Sequence, residues 1–303
     1  MAWRTLLITR PGYLSYKQQA MVIKQDEGEA KIALEDIAAI VLDNAQITIT
    51  AQLLSALANQ NIALISVDNT HTPNGIFLSY LPHSRALKVL RRQMELGKVH
   101  KKQLWQTIIQ QKIRNQASVL KSIEAYSEAI LLENMANKVK SGDPQNHEAQ
   151  ASQKYFKTVF GKGFIRRNES IINAALNYGY SIIRSAIARQ LVAYGFLPAL
   201  GLQHKSEQNS FNLADDLIEP YRPYIDYTVI QLIKGIASEQ KNLTTEMKAV
   251  LVEILHKDVL RIEATQELGE STILALIEAT VISLTQRLVD KKNSLVLPGV
   301  ITA

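Results

Sequence analysis

Apolar and polar residues alternate in short runs up to about residue 80 and then recur every three or four positions, so the pattern changes once, from β to α, near residues 80–85. In the first part, runs rich in Ile, Val, Leu, Thr and Tyr at 6–9, 13–16, 20–24, 30–34 and 38–42 predict strands. Pro11-Gly12 and residues 26–29 supply turns between them. One helix interrupts this pattern: Thr50 is a capping residue, and Leu53, Leu54, Leu57 and Ala58 follow at helical spacing. Asn61 ends that helix, 62–67 predicts a buried strand, and Asn74-Gly75 predicts a hairpin turn leading into Ile76-Phe77-Leu78.

Beyond Pro82, the residues Leu87, Leu90, Met94, Leu104, Ile108, Ile109, Ile113 and Leu120 mark an amphipathic helical region over 84–136. Ser141-Gly142-Asp143-Pro144 breaks it and starts a helix carrying Glu148. Helical patterning continues through Arg167 and over 169–195, 225–238 and 245–289. The tail after Lys292, with Pro298 and Gly299, lacks this pattern, which leaves open whether it docks or stays mobile. The fold class expected is α+β: a small β-rich N-terminal domain over 1–82, followed by a larger all-α C-terminal domain over 83–303.

A chain of 303 residues with 47% apolar residues can bury a large core, and it contains no cysteine. That excludes a disulfide framework, a cysteine nucleophile and a zinc-thiolate site, and it fits a cytoplasmic protein. The first ten residues lack a signal-peptide pattern. Arg184 and Arg189 interrupt the most apolar stretch, 174–202, which reads as buried helix rather than a membrane span.

The net charge of +6 understates the electrostatics. Residues 85–121 and 154–205 hold 18 of the 34 Lys/Arg and only 2 of the 28 Asp/Glu, so the remainder of the chain is acidic. Segregated positive charge of this kind is the footprint of a polyanionic partner.

Against that background Glu148, His204 and Glu219 stand out, the last two bracketing an Asn/Asp-rich segment at 209–216. Two carboxylates and an imidazole make a hard donor set suited to Mg²⁺ or Mn²⁺. His147-Glu148 begins like a zinc-protease signature, but position 151 is Ala and that reading fails.

The chain resembles the CRISPR-associated integrase/endonuclease of spacer acquisition, in its type II form, over essentially its whole length. The stretches that carry the likeness are Asn61-Ile62-Ala63-Leu64-Ile65, Pro82-His83-Ser84-Arg85 with Leu90-Arg91-Arg92-Gln93, Glu148-Ala149 with Tyr155-Phe156, and Leu176-Asn177-Tyr178-Gly179-Tyr180. They continue in Gly201-Leu202-Gln203-His204 and in the block from Phe211 through Asn212-Leu213-Ala214-Asp215-Asp216-Leu217-Ile218-Glu219 to Pro220-Tyr221-Arg222-Pro223. The resemblance implies an N-terminal domain that dimerises and docks a partner. That partner is a small ferredoxin-like CRISPR adaptation protein, in a complex of two integrase dimers and one partner dimer. It implies metal-dependent joining of the 3′-hydroxyls of captured double-stranded DNA to CRISPR repeat DNA by transesterification, with Glu148, His204 and Glu219 as both catalytic residues and ligands of Mg²⁺ or Mn²⁺. No membrane is involved.

Around this set, Asp215 precedes Glu219 by four positions and is expected to orient His204 or a bound water, while Asp216 caps a helix. Arg85, Lys88, Arg91, Arg92, Lys101 and Lys102 are expected on duplex phosphates, with Lys154 as a further DNA contact. Tyr178 and Tyr180 read either as base-stacking groups or as core. Arg222 reads either as a phosphate clamp or as a partner of Asp226. A structure-selective, metal-dependent nuclease acting on branched DNA in repair is the alternative enzyme, and a non-catalytic DNA-bridging scaffold a third reading.

Overall fold

The computed structural model describes residues 4–80, 83–234, 242–264 and 266–301. Pro82 at the expected boundary and the 235–238 end of the helix expected over 225–238 lie outside the described residues. The N-terminal part comprises β1 (Arg4–Ile8), β2 (Gly12–Lys17), β3 (Ala20–Gln25), β4 (Gly28–Ala33), β5 (Ile37–Leu42), β6 (Ile47–Ile49), α1 (Ala51–Asn59), β7 (Ala63–Val67) and β8 (Pro73–Phe77). They build two four-stranded sheets, ordered β1-β5-β7-β8 and β4-β3-β2-β6. In the first, β1, β5 and β7 run parallel and β8 antiparallel. The inner strand β5 is an unbroken apolar run, and β7 is apolar and buried over Ala63, Leu64 and Ile65, because both faces are covered there. Leu14, Met21, Ile37, Ile40, Leu53 and Leu57 form a core under α1, whose first turn is capped by Thr50 Oγ1 accepting from Leu53 N at 3.2 Å.

The hairpin turn expected at Asn74-Gly75 lies elsewhere. Both residues sit inside β8, and the chain reverses over 68–72, where Asp68 Oδ1 accepts from Thr70 N and Thr72 N, each at 2.9 Å. An Asp side chain bonding backbone two and four residues on builds the turn. Gly75 instead marks a close approach: a Cβ there would collide with the Ser66 hydroxyl on β7.

The larger part begins with α2 (Ala86–Glu95), α3 (Lys98–Ser122), α4 (Tyr126–Lys138), α5 (His147–Phe160), α6 (Ile171–Ala193), α7 (Asn212–Leu217), a 3-10 turn (Glu219–Tyr221), α8 (Arg222–Ile233) and α9 (Thr245–Glu253). It ends with β9 (Asp258–Glu263), β10 (Gln266–Thr272), α10 (Ile273–Val289) and β11 (Val296–Pro298). It is therefore mostly helical, but the helix expected across 245–289 is split by an antiparallel hairpin, and β11 completes a sheet ordered β10-β9-β11. Residues 263–271 have no apolar stripe that a helix could bury; Ala264 takes positive φ (53°) where β9 ends, and Gly269 (83°) at the bulge between Glu267 and Glu270 inside β10. The C-terminal tail docks: Leu295 and Leu297 are buried, and Ile301 N donates to Ser118 Oγ at 3.0 Å. No described helix is long and apolar enough to cross a membrane.

Two expected core positions on α2, Leu87 and Met94, are exposed (61% and 68%), and the helix instead turns Val89 and Gln93 inward. The long helix α3 runs through the centre of the larger core, buried along most of its length, and carries five buried polar side chains on its second half: Gln111, Lys112, Asn115, Gln116 and Ser118. The two parts of the chain are pinned by a buried ion pair, Lys248 Nζ to Asp43 Oδ2 at 2.8 Å, and by Arg189 Nε donating to Asn61 O at 2.5 Å.

Candidate active site

Glu148 enters from the first turn of α5. The loop before it takes left-handed backbone at Gly142, Asp143 and Asn146, which turns the Asp143 carboxylate onto the helix start. There it accepts from His147 N and Glu148 N, each at 2.9 Å, and so fixes the root of Glu148. Glu219 enters from the 3-10 turn beyond α7, where Pro220 occupies a position whose missing N–H costs nothing. Asn115 Nδ2 on α3 donates both to Pro220 O (2.8 Å) and to Pro298 O (3.2 Å), and so ties that turn to the docked tail.

The two glutamates meet on one cation. Lys112 Nζ donates to Glu148 Oε1 at 2.7 Å and lies 2.5 Å from Glu219 Oε2, while Arg222 Nε donates to Glu219 Oε1 at 2.9 Å. Burial alone would push the Glu219 carboxyl up, but Arg222 and Lys112 outweigh it and hold the group down at about 2. Burial likewise works against the Lys112 ammonium, and Glu219 and Glu148 reverse that and raise it above an ordinary lysine. Glu219 Oε2 has the ion-pair contact without hydrogen-bond alignment, which leaves a buried carboxylate oxygen with spare acceptor capacity.

His204 sits in the loop between α6 and α7. Its Nδ1 donates to Asp216 Oδ1 at 2.8 Å, its ring stands edge-on to Trp105 with centroids 5.7 Å apart, and its Nε2 is the nitrogen left for a ligand. The hydrogen bond to Asp216 raises its pKa above the ordinary histidine value, and the charges of Asp216, Glu219 and Asp215 add to this. Asp216, fully buried, also accepts from Leu202 N, Gln203 N (3.2 Å) and His204 N (3.1 Å). Gly201 is required beside it, since a Cβ there would collide with His204 O and crowd the Asp216 carboxylate. From α2, the Gln93 amide donates to Leu197 O (3.0 Å) and Leu200 O (2.9 Å) and accepts from Leu197 N (3.0 Å), which clamps the same loop.

Several expectations change here. Asp215 does not orient His204: it forms a two-point pair with Arg184, Nε to Oδ1 at 2.6 Å and Nη2 to Oδ2 at 3.2 Å, and the residue on the imidazole is Asp216. Arg222 faces Glu219 and stacks 4.5 Å over the Tyr180 ring, so it is neither free to clamp phosphate nor paired with Asp226, which accepts from the Tyr180 hydroxyl instead. Tyr178 is core, 1% exposed, with its hydroxyl unpartnered, and cannot stack on a base. Lys101 Nζ donates to Gly201 O at 3.2 Å, a second tie onto the His204 loop. Arg85, Lys88, Arg91, Lys102 and Lys154 are exposed, and Arg92 is half-buried.

Lys112, Asn115, Gln93 and Asp143 were not singled out by composition or spacing. Lys112 had a readable signal: it falls four after Ile108 and seven after Trp105, a lysine on the apolar stripe of α3. Gln93, between Val89 and Leu96, is a polar residue on a buried stripe in the same way.

The donor chemistry of Glu148, His204 and Glu219 fits a hard divalent ion. As they stand, no three His, Asp or Glu side chains among the described residues are gathered closely enough to hold one, and the Lys112 ammonium lies between the two carboxylates.

Residues 6–262 match the family described as CRISPR associated protein Cas1. A CRISPR-associated endonuclease Cas1 of Neisseria meningitidis serogroup C (strain 8013) is 42% identical over 302 residues, covering 99% of this chain and 97% of its own. One from Pyrobaculum aerophilum is 27% identical, covering 79% and 85%. Among solved structures, a Cas1 protein from Thermotoga maritima superposes with a TM-score of 0.76 at 17% identity (96% and 99% covered), and a casposase bound to integration product with 0.76 at 21% (97% and 92%). These last two likenesses concern the fold.

Proposed function

Since the chain belongs to the CRISPR-associated Cas1 family, we propose that it is a metal-dependent DNA integrase and endonuclease of CRISPR adaptation, which joins the 3′-hydroxyls of a captured fragment to repeat DNA by transesterification. The observation that carries this reading is the convergence of Glu148 and Glu219, from separate elements, on one buried cation position, with the ring of His204 held in a single orientation nearby.

Glu148, Glu219 and the Nε2 of His204 would hold Mg²⁺ or Mn²⁺. When bound, such an ion supplies Lewis-acid stabilisation of the charge that grows on the phosphate oxygens, and lowers the pKa of an attacking hydroxyl. The protein's own contribution is positioning. Asp216 keeps a proton on Nδ1 and so leaves Nε2 as the donor. Arg222 braces Glu219 in its ionised form. Asp143 and Asn115 fix the backbones from which the two glutamates project. The exposed Arg85 at the start of α2 and Lys88 and Arg91 on it supply sequence-independent phosphate contacts, and Gln93 stitches that helix to the His204 loop, so the basic face and the site are mechanically one unit. The assembly expected is a homodimer joined through the β-rich part, bound to a small ferredoxin-like adaptation protein, in a complex of two integrase dimers and one partner dimer.

The test is a gel assay with a fluorescent double-stranded fragment carrying free 3′ ends, a supercoiled plasmid bearing the repeat array, and the small partner present or absent. Joining is expected with wild type and Mg²⁺ or Mn²⁺, and is expected to vanish in Glu148→Ala while duplex binding persists. Unchanged joining in Glu148→Ala overturns the assignment. Cleavage of branched DNA without joining favours the repair nuclease.

A further inference from the structure

The carboxylate pair already contains a cation, and it is the protein's own. Lys112 Nζ bridges Glu148 Oε1 and Glu219 Oε2, at 2.7 and 2.5 Å, on a side chain only 7% exposed. A second positive group, Arg222, holds the far oxygen of Glu219. Two carboxylates therefore face two side-chain cations, and the local charge is balanced without any ion.

A divalent ion cannot simply be added to this arrangement. With the ammonium in place, the ion would sit within a few ångströms of a like charge in a poorly solvated site, where such a repulsion is worth several kcal/mol even at an effective dielectric of about 20. The oxygens it needs are also the two that Lys112 engages. The alternative is exchange. Lysine suits exchange: its compact charge rides on a flexible four-carbon stem, whereas the planar fork of Arg222 is anchored by Glu219 and stacked on Tyr180. Of the two glutamates, Glu148 has the more open side chain, 30% exposed against 6%, so the bridge has a solvent side from which an ion can arrive.

We propose that Lys112 is a resident counter-ion that a divalent cation must displace from between Glu148 and Glu219, so that ammonium and metal occupy the pair alternately. This rests on the metal-dependent reading given above and adds to it a residue that sets the ion affinity of the free protein. Lys112 is thus a positioning residue: without an ion it holds the two carboxylates together and prevents their mutual repulsion from spreading the site.

The test uses the full chain without DNA and Mn²⁺ as the probe, with free Mn²⁺ counted by electron paramagnetic resonance. Lys112→Gln removes the competitor and is expected to bind Mn²⁺ about tenfold tighter or more than wild type. Lys112→Arg keeps the charge and is expected to bind no tighter than wild type. Equal or weaker binding by folded Lys112→Gln overturns the proposal. Should Lys112→Gln fail to fold, crystals of wild type with Mn²⁺ decide: Nζ more than 4 Å from at least one of the two carboxylates supports exchange, and Nζ still contacting both beside a bound ion overturns it. Mn²⁺ binding that is lost in Glu148→Gln but unchanged in Lys112→Gln sinks this inference alone. Absence of Mn²⁺ binding at the glutamates in wild type and Lys112→Gln alike sinks the metal-dependent reading with it.

Discussion

Asp216 and His204 are joined twice: the carboxylate takes the imidazole Nδ1 hydrogen at 2.8 Å and the backbone N–H of the same histidine at 3.1 Å. One buried acid thus fixes both the path of the loop and the tautomer of the ring. Asp216→Asn keeps the shape but places an amide among donors. It is expected to lower stability by about 2–4 kcal/mol, since hydrogen bonds to charged groups are worth roughly 1.5–3 kcal/mol and several are lost together. Strand joining is expected to fall with it. Asp215→Asn, which disturbs the partly exposed pair with Arg184 and a hydrogen bond from Asn209 Nδ2, is expected to cost only about 1 kcal/mol. Chemical denaturation of the two variants side by side checks the contrast, and equal losses would refute the assignment of Asp216 as the supporting group.

Duplex binding through α2 is expected to be steeply salt-dependent. Each phosphate contact removed should lower the slope of log affinity against log salt by about 0.9, so the triple variant Arg85→Ala, Lys88→Ala, Arg91→Ala should flatten it by roughly 2–3 if all three residues touch phosphate. Fluorescence anisotropy at a series of salt concentrations measures this, and an unchanged slope places DNA on another face.

Buried Asp226 gives the fold a pH dependence of its own. Burial pushes its carboxyl up to about 6, against the lowering effect of the Tyr180 hydroxyl. Because the folded pKa lies above the unfolded one, the group's contribution is full below about 4 and is lost as pH rises through about 6, a change of roughly 3 kcal/mol for two units. Glu219, held down at about 2, acts in the opposite sense and below pH 4.5, so the windows separate. Urea unfolding of wild type and Asp226→Asn between pH 4 and 7 should show the wild-type decline flattened in the variant. Parallel curves would show that Asp226 is not the titrating group.

Tyr178→Phe removes a hydroxyl that is buried and unpartnered. Stability is expected to be unchanged or to rise by about 1 kcal/mol, and DNA affinity to stay the same. A clear fall in stability would show that the hydroxyl has a partner in the folded protein and would overturn this reading.

The alternation in the first 80 residues and the three-to-four spacing after residue 84 were enough to divide the chain into a strand-rich and a mostly helical part, because side-chain period follows directly from backbone geometry. The hairpin at 258–272 escaped that reading, since it is a polar, half-exposed ribbon held by pairing with β11 from the end of the chain. The tail escaped it because three residues of strand have no period, and its docking rests on distant partners such as Asn115, Ser118, Tyr224, Thr280 and Ser283.

At the site, charge counts marked a segregated basic surface, and residue types together with the family resemblance pointed to Glu148, His204 and Glu219 as candidate donors. Which aspartate serves His204 was a matter of direction rather than spacing: Asp215 and Asp216 are neighbours in the chain, but on a helix they point about 100° apart, and only the course of the 201–204 loop decides which one meets the ring. Likewise, nothing in sequence separation joins Lys112 to Glu148 and Glu219. Their meeting is a property of three elements crossing at one place, which is set by packing around α3, and packing is a relation between distant residues that no local pattern records.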